Sequence, residues 1–268
     1  MEALGIYLFG EFLRNTDIFL LVLTRIIAFL IIIPVFSSNN IYVWSKLTFS
    51  VSAAFLITAS GIVQNAVYFN TAPGFVLLLV QEFLTGFILG FVAYLAFSLV
   101  LFTGQLLDYQ IGFAMVNVLD PLTQIQVPII GNLFFLTLAA ILVQSGGLHA
   151  LLSALFFSYE ILPIGGAAIL SNPVLTKIIM GLITNFMAVA IQAALPITGA
   201  ILIIDIAMGL LVKAVPQMNI FVVGMPIKLL AGLTLLFMMA PILSDVFDII
   251  FEMAYSASRG VLKGMAGL

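Results

Sequence analysis

The sequence predicts an all-α, membrane-associated protein of about six long helices, with broken or re-entrant segments between them. Of the 268 residues, 64% are hydrophobic and only 7% are charged, whereas about 25% are charged in an ordinary soluble domain. The few charged positions also divide the chain into long neutral runs. Because so few polar side chains cannot cover a water-facing surface, most of the exterior must face lipid or other subunits.

Six apolar segments are candidate helices, judged against the roughly 20 apolar residues that a membrane-crossing helix requires. The first predicted helix covers residues 18–36 and ends near Pro34. The second lies between Lys46 and Asn70, because the sequence Asn-Thr-Ala-Pro-Gly that follows interrupts the run. The other four predicted helices cover residues 75–103, 129–144, about 174–212 and about 220–250.

Two segments between these helices are too apolar to be simple loops. Residues 104–128 contain two acids and no base, yet they are apolar enough to be buried. Residues 146–173 contain a short apolar stretch of re-entrant or interfacial length. Since no soluble domain, low-complexity tract or repeat is visible, residues 1–268 are predicted to form a single helical unit. The basic residues are too scattered to fix its orientation.

The residues that most catalytic or binding sites require are missing. The sequence has no cysteine and one histidine, His149, so we expect no thiol nucleophile and no histidine-based metal site. No nucleophile elbow, zinc-protease motif or phosphate-binding lysine loop is present. A net charge of −3 offers no basic surface to nucleic acid. The protein is therefore predicted to be neither an enzyme nor cofactor-dependent.

One enzymatic alternative is an intramembrane hydrolase with paired aspartates, Asp108 and Asp120. Both acids lie near Gly104 or Pro121, where turn and cap duties are the usual explanation.

Four charges lie inside the apolar segments: Arg25, Glu82, Asp205 and Lys228. Each would cost at least roughly 2.5–3.5 kcal/mol at the centre of a membrane helix unless it were paired or faced a wet interior. They either line an ion pathway or fix helix packing by pairing, and two acids balance two bases. We favour the structural role because no acid-rich relay accompanies them.

The helix that carries Glu82 also carries a small-residue motif. Gly86 and Gly90 lie on one helical face, which lets another backbone approach closely. A close helix contact is therefore predicted there.

Short motifs along nearly the whole chain resemble one known family. The most specific block covers residues 214–228 and contains Pro216, Gln217, Asn219, Gly224 and Pro226 in that order. Further matching residues are Thr24-Arg25, Pro34 to Phe36, Glu82 with its two glycines, Gly104 to Phe113, Asp120-Pro121, Leu162 to Gly165, and Asp205 to Leu210. These residues resemble the FliR/SctT family of flagellar export-apparatus proteins and their counterparts in virulence type III secretion systems.

The resemblance implies a non-enzymatic subunit of a protein-conducting export gate. In this family the subunit assembles with FliP and FliQ, with FlhB around the entrance and FlhA nearby, and the gate passes exported flagellar polypeptides. It implies a location in the bacterial inner membrane, at the flagellar basal body.

The resemblance also implies a loop that plugs the pore, at about residues 104–121. The candidate plug residues are Gly104, Gln105, Gln110, Ile111, Gly112, Phe113 and Met115. An apolar plug needs no counter-charges in a closed channel, and Gly104 and Gly112 would give the backbone freedom to fold aside. A re-entrant loop that packs statically is the alternative for this segment.

Two further functional alternatives remain. A secondary transporter would bind a small solute at broken helices through Glu82, Asp205 or Lys228. The same export function could also serve a virulence-type system.

Overall fold

The computed structural model describes residues 2–37, 41–60, 63, 71–113, 128–166, 173–217 and 219–267, with the side chains of residues 2–15, 220 and 221 left out. Within these ranges the chain forms eight helices and no strand, which confirms the predicted all-α class. They are α1 (Glu2–Ile32), α2 (Pro34–Ser37), α3 (Val43–Ala59), α4 (Ala72–Ile111), α5 (Ile129–Gln144), α6 (Gly147–Ile161), α7 (Pro173–Ala214) and α8 (Ile220–Ala266).

Helix α8 is longer than the sequence analysis predicted. The apolar run ends near residue 250, but the helix continues to Ala266. In this extension Ala257, Val261 and Met265 recur at helical spacing and are buried, whereas Arg259 and Lys263 are exposed. The extension is therefore an amphipathic helix, which a search for neutral runs does not detect.

The predicted re-entrant segment contains a regular helix, α6. It follows Gly146, whose φ of +74° is a conformation that glycine adopts without steric cost. After α6 the chain makes a turn through Pro163, and Gly165 has a φ of +77°. Helix α5 covers the residues that the sequence predicted, 129–144.

The chain divides into two compact units. Unit 1 is drawn from Met1–Leu95, Gly146–Leu182 and Met253–Leu268, and unit 2 from Ala96–Ser145 and Ile183–Glu252. Unit 1 buries Val22, Ile26 and Phe29 of α1, and unit 2 buries Phe97 and Leu107 of α4. That residues 1–268 work as a single export-gate subunit stays a prediction.

Three helices in the described part of the chain are long and apolar enough to cross a membrane: α4, α7 and residues Val222–Ala266 of α8. A fourth span is possible if the bent pair α5 and α6 counts as one. In the most apolar part of α4, 50% of the residues are buried within the chain. The corresponding share is only 11% for α7 and 17% for α8. Helices α7 and α8 therefore expose long apolar surfaces.

Candidate functional site

A fully buried ion pair joins two helices of unit 1. Arg25 of α1 and Glu82 of α4 each expose 0% of the side chain, and Arg25 Nε lies 2.6 Å from Glu82 Oε2. A charged pair in a dry site is tolerated only when good geometry and further hydrogen bonds offset the loss of water. The remaining polar atoms of both side chains therefore need partners.

The carboxyl end of α6 supplies the partners for Arg25. Arg25 Nη1 donates to the carbonyl and hydroxyl oxygens of Ser158, both at 3.2 Å, and to the carbonyl of Leu162 at 3.1 Å. Arg25 Nη2 donates to the same Leu162 carbonyl at 3.1 Å. The last carbonyls of a helix have no partner inside the helix and carry partial negative charge. Arg25 therefore caps α6 from a distant helix.

Two further contacts complete this cluster. Glu82 Oε1 accepts a hydrogen bond of 3.2 Å from the Gly165 N–H, in the turn that follows α6. The Tyr159 ring lies 4.3 Å from Arg25 Cζ, and its hydroxyl donates to the Val22 carbonyl at 3.1 Å. We call Arg25, Glu82, Ser158, Tyr159 and Leu162 the buried cluster. It ties α1, α4 and α6 together.

The polar atoms of the buried cluster are bonded within the chain. Every buried side-chain nitrogen and oxygen in the part of the chain that the structure describes has a hydrogen-bond partner. The geometry of Arg25 and Glu82 therefore supports packing. Sequence reasoning singled out both charges but missed Ser158 and Tyr159. The only signal near them was the Leu162 to Gly165 motif.

Gly86 and Gly90 lie where α4 meets α1. A Cβ atom at Gly86 would overlap the carbonyl group of Arg25, and one at Gly90 would lie 2.8 Å from the carbonyl oxygen of Phe29. The absence of side chains thus lets the two backbones touch one and two turns after Glu82. This close approach brings Glu82 within reach of Arg25.

A second ion pair joins α7 and α8 in unit 2. Lys228 Nζ lies 2.8 Å from Asp205 Oδ1 and 3.0 Å from Asp205 Oδ2. The Asp205 side chain is 40% exposed and that of Lys228 is 20% exposed, so this pair is accessible. The four charges that lie inside apolar segments of the sequence thus form one buried and one accessible pair.

The first half of the candidate plug is helical. Gly104, Gln105, Gln110 and Ile111 belong to α4, which ends at Ile111. Gly112 follows with a φ of +103°, then Phe113, whereas Met115 lies outside the described residues. A Cβ at Gly104 would lie 2.5 Å from the Gly131 nitrogen, so Gly104 serves close packing with α5.

Asp108 caps the start of α5. Its Oδ1 and Oδ2 accept hydrogen bonds from the Ile130 N–H at 3.0 and 3.1 Å, and Oδ2 also accepts from the Gly131 N–H at 3.2 Å. The residue at the usual capping position is Pro128, whose side chain makes no cap hydrogen bond. An acid on α4 therefore satisfies two of the free N–H groups at the start of α5. Asp120, the other acid of the hydrolase alternative, lies outside the described residues.

The residues of the most specific motif surround the start of α8. Pro216 and Gln217 lie between α7 and α8, and Asn219 directly precedes α8. The Asn219 carbonyl accepts from the Val222 and Val223 N–H groups at 3.1 and 3.3 Å. Gly224 is buried, and Pro226 lies inside α8.

Comparisons with known proteins agree with these motifs. The family model described as "Bacterial export proteins, family 1" matches residues 17–254. The chain is 28% identical over 247 residues to "Flagellar biosynthetic protein FliR" of Bacillus subtilis (strain 168), covering 91% of this chain and 94% of that protein. It is 30% identical over 240 residues to the protein of the same name from Pectobacterium carotovorum subsp. carotovorum, covering 85% and 89%.

A relative with a different name extends the likeness. "Yop proteins translocation protein T" of Yersinia pestis is 28% identical over 209 residues, covering 78% of this chain and 80% of that protein. The chain therefore belongs to family 1 of the bacterial export proteins, the FliR/SctT family that its motifs resemble.

Proposed function

We propose that this chain is a non-enzymatic, structural subunit of the export gate of a flagellar type III secretion system in the bacterial inner membrane. It assembles with FliP-like and FliQ-like subunits, with FlhB and FlhA as further partners, and the gate conducts exported flagellar polypeptides. Two relatives whose names refer to flagellar biosynthesis match this chain over about nine-tenths of their own length, which supports the flagellar assignment.

The exposed apolar surface of α7 and α8 carries this proposal. Phe237 of α8 is 83% exposed, and other strongly exposed apolar residues of these two helices include Leu195, Ile203, Ile206, Leu210, Val222, Leu230 and Met238. Apolar side chains exposed in this number must be covered by lipid or by protein. Coverage by partner subunits agrees with a gate that is built from several membrane proteins.

The ion pairs support a structural role over solute transport. Both carboxylate oxygens of Glu82 are bonded within the chain, which does not favour the binding of a small solute there. The weaker burial of Asp205 and Lys228 leaves this second pair open to contact with another subunit.

We further propose that the segment beginning at Gly112 plugs the closed gate. The apolar Phe113 and the positive φ of Gly112 support a change of chain direction directly after α4. The helical residues from Gly104 to Ile111 would then form the fixed base of the plug.

Co-expression with FliP-like and FliQ-like proteins of the same bacterium tests the assembly. The chain has no cysteine, so a Phe237→Cys variant carries a single thiol that maleimide reagents can label in mild detergent. We expect strong labelling of the chain alone and protection in the purified complex. Ser256→Cys, at an exposed polar position of the same helix, should be labelled in both samples.

If the chain remains monodisperse and protease-resistant alone, and Phe237→Cys is labelled equally with and without the partners, the proposed assembly is wrong. A defined complex with protection at residue 237 alone would support it.

A further inference from the structure

The start of α3 projects beyond the packed part of unit 1. None of residues 42–49 is buried, and the first buried residue of the helix is Ser50. Further along, Ala53, Ala54 and Ile57 recur at helical spacing and are buried, so one side of α3 packs within the unit. The large side chains of the first two turns are therefore left for the surroundings to cover.

Two aromatic side chains with polar tips and one cation lie at this exposed end. Tyr42 directly precedes the first helical residue, and its side chain makes no cap hydrogen bond. Trp44 is 66% exposed, and the half-buried Lys46 follows it by two residues. Phenol and indole rings combine an apolar body with one hydrogen-bonding atom, and lysine combines an apolar stem with an ammonium group. Such side chains are typical of the level at which water gives way to lipid.

The chemistry of the exposed surface changes along α3. Phe55 is 65% exposed and lies eleven residues after Trp44. Eleven residues are close to three full turns, so the two rings lie on the same side of the helix, about 16 Å apart along its axis. This distance is about half the thickness of the hydrocarbon core of a bilayer. If Trp44 lies at the edge of that core, Phe55 therefore lies among the acyl chains.

The sequence also keeps charge away from this surface beyond the start of the helix. After Lys46 the next charged residue is Glu82. A bilayer presents anionic phosphates and water at its edge and acyl chains inside, an order that matches Lys46 at the start of α3 and the exposed Phe55 and Leu56 further along. A partner subunit would need one surface that changes its chemistry at the same level. Lipid is therefore the covering that fits this end of α3 in both charge and polarity.

We propose that Tyr42, Trp44 and Lys46 form an interfacial anchor that holds the start of α3 at the headgroup level of a phospholipid bilayer. The Lys46 ammonium faces lipid phosphates, the two aromatic rings lie at the boundary, and Phe55 lies among the acyl chains. Because α3 packs against α1, the anchor also fixes the depth of α1 in the membrane. This inference goes beyond the export-gate role and does not depend on the plug.

Trp44 is the only tryptophan of this chain, so its fluorescence reports on the anchor. The partner-containing complex is reconstituted into vesicles of phosphatidylcholine and phosphatidylglycerol. The emission of the Trp44→Phe complex is then subtracted to remove the tryptophans of the partners. Phosphatidylcholine brominated near the headgroup should reduce the Trp44 emission more than phosphatidylcholine brominated near the chain ends. Iodide in the water on both sides of the bilayer should reduce it less than the shallow brominated lipid.

Phe55 offers a matched control on the same side of α3, since its side chain is exposed to the same extent. The Trp44→Phe/Phe55→Trp variant moves the reporter about 16 Å along the helix. The order of the two brominated lipids should then reverse, and iodide should have no effect. If this variant fails to assemble, the Trp44 measurement decides the matter alone.

Lys46 provides an arm that tests the charge. A basic residue near the membrane surface should enrich an anionic lipid, so brominated phosphatidylglycerol should be concentrated around Trp44 up to about fivefold over brominated phosphatidylcholine. Lys46→Gln should remove most of this preference and leave the depth order unchanged. Lys177→Gln, at an exposed position of unit 1 on α7, should keep it. A preference that survives Lys46→Gln would mean that Lys46 does not face the lipid phosphates.

Three results would overturn the anchor. Resistance of Trp44 to both brominated lipids and to iodide would mean that a partner subunit covers it. Strong quenching by iodide alone would place Trp44 in water, and stronger quenching by the deep brominated lipid would place it inside the hydrocarbon core. None of these results bears on the proposed gate assembly, which is tested separately by the labelling of residue 237.

Discussion

Arg25 and Glu82, which are 57 residues apart in the sequence, form a buried ion pair with 2.6 Å between Nε and Oε2. The pair does more than neutralise two charges. Arg25 also holds the carboxyl end of α6, and Glu82 holds the turn after it through the Gly165 N–H. One pair of side chains therefore fixes three helices.

Removing both members of this pair should cost less than the sum of the two single removals. Arg25→Met leaves the Glu82 carboxylate buried without a counter-charge, so we expect a loss of about 3–5 kcal/mol. In the Arg25→Met/Glu82→Met double variant the loss should fall short of the sum of the single losses by about 1–3 kcal/mol. SDS-induced unfolding of the purified complex in mild detergent measures these differences.

Arg259 provides the control for this cycle. Its guanidinium lies 4.6 Å from the ring of Tyr255 at an exposed position. Arg259→Met should therefore stay within about 0.5 kcal/mol of the parent. Equal losses for Arg25→Met and Arg259→Met would contradict the role that we assign to the buried cluster.

The contact between α1 and α4 predicts different outcomes for three glycines. Gly86→Ala should destabilise the protein by about 1–3 kcal/mol or more, because its Cβ would overlap the backbone of Arg25. Gly90→Ala should cost less, since the nearest atom lies 2.8 Å away. Gly181→Ala meets nothing within 4 Å and should be neutral or stabilising by up to about 1 kcal/mol, because alanine favours helix.

Melting temperatures of the three alanine variants, measured in one detergent and with partners present, give this order. If the Gly86→Ala variant has the same melting temperature as the parent, the backbones of α1 and α4 do not touch.

The cap on α5 predicts that different substitutions of Asp108 lower the stability of the protein by different amounts. Asp108→Asn retains one acceptor oxygen but loses the charge that faces the helix start, and Asp108→Ala loses both acceptors. We expect a loss of about 0.5–2 kcal/mol for Asp108→Ala and a smaller one for Asp108→Asn. Asp245→Asn, at an exposed position of α8, should change stability by less than about 0.5 kcal/mol.

Amide hydrogen exchange at the start of α5 measures the same effect locally. Faster exchange at Ile130 and Gly131 in Asp108→Ala, with no change in Asp245→Asn, is the expected result. Equal exchange in both variants would mean that Asp108 does not cap α5.

The all-α class could be predicted from hydropathy because apolar runs of helical length dominate the chain. The residue at which α4 ends could not be predicted from the sequence. Gly104 disfavours a helix in isolation, and the predicted helix ends at residue 103. Helix α4 nevertheless continues to Ile111, where Gly104 packs against the backbone of Gly131 and Asp108 binds α5. Contacts between distant segments decide this helix end, and no local pattern contains them.

The sequence likewise predicted only part of the candidate site. Charged residues in apolar runs stand out, so Arg25, Glu82, Asp205 and Lys228 could be found from the sequence. Two acids and two bases permit two pairings, and only the fold selects between them. The partners of Arg25 at Ser158 and Leu162 are largely backbone carbonyls, which every residue has.

Secretion of flagellar subunits into the medium tests the central claim, that this chain is a gate subunit, most directly. Cells without the chain should secrete none, re-expression of the parent chain should restore secretion, and Arg25→Met should restore little although Arg259→Met restores it fully. Normal flagellar secretion in cells that lack the chain would contradict the account, and loss of virulence effectors alone would assign the gate to the other branch of the family.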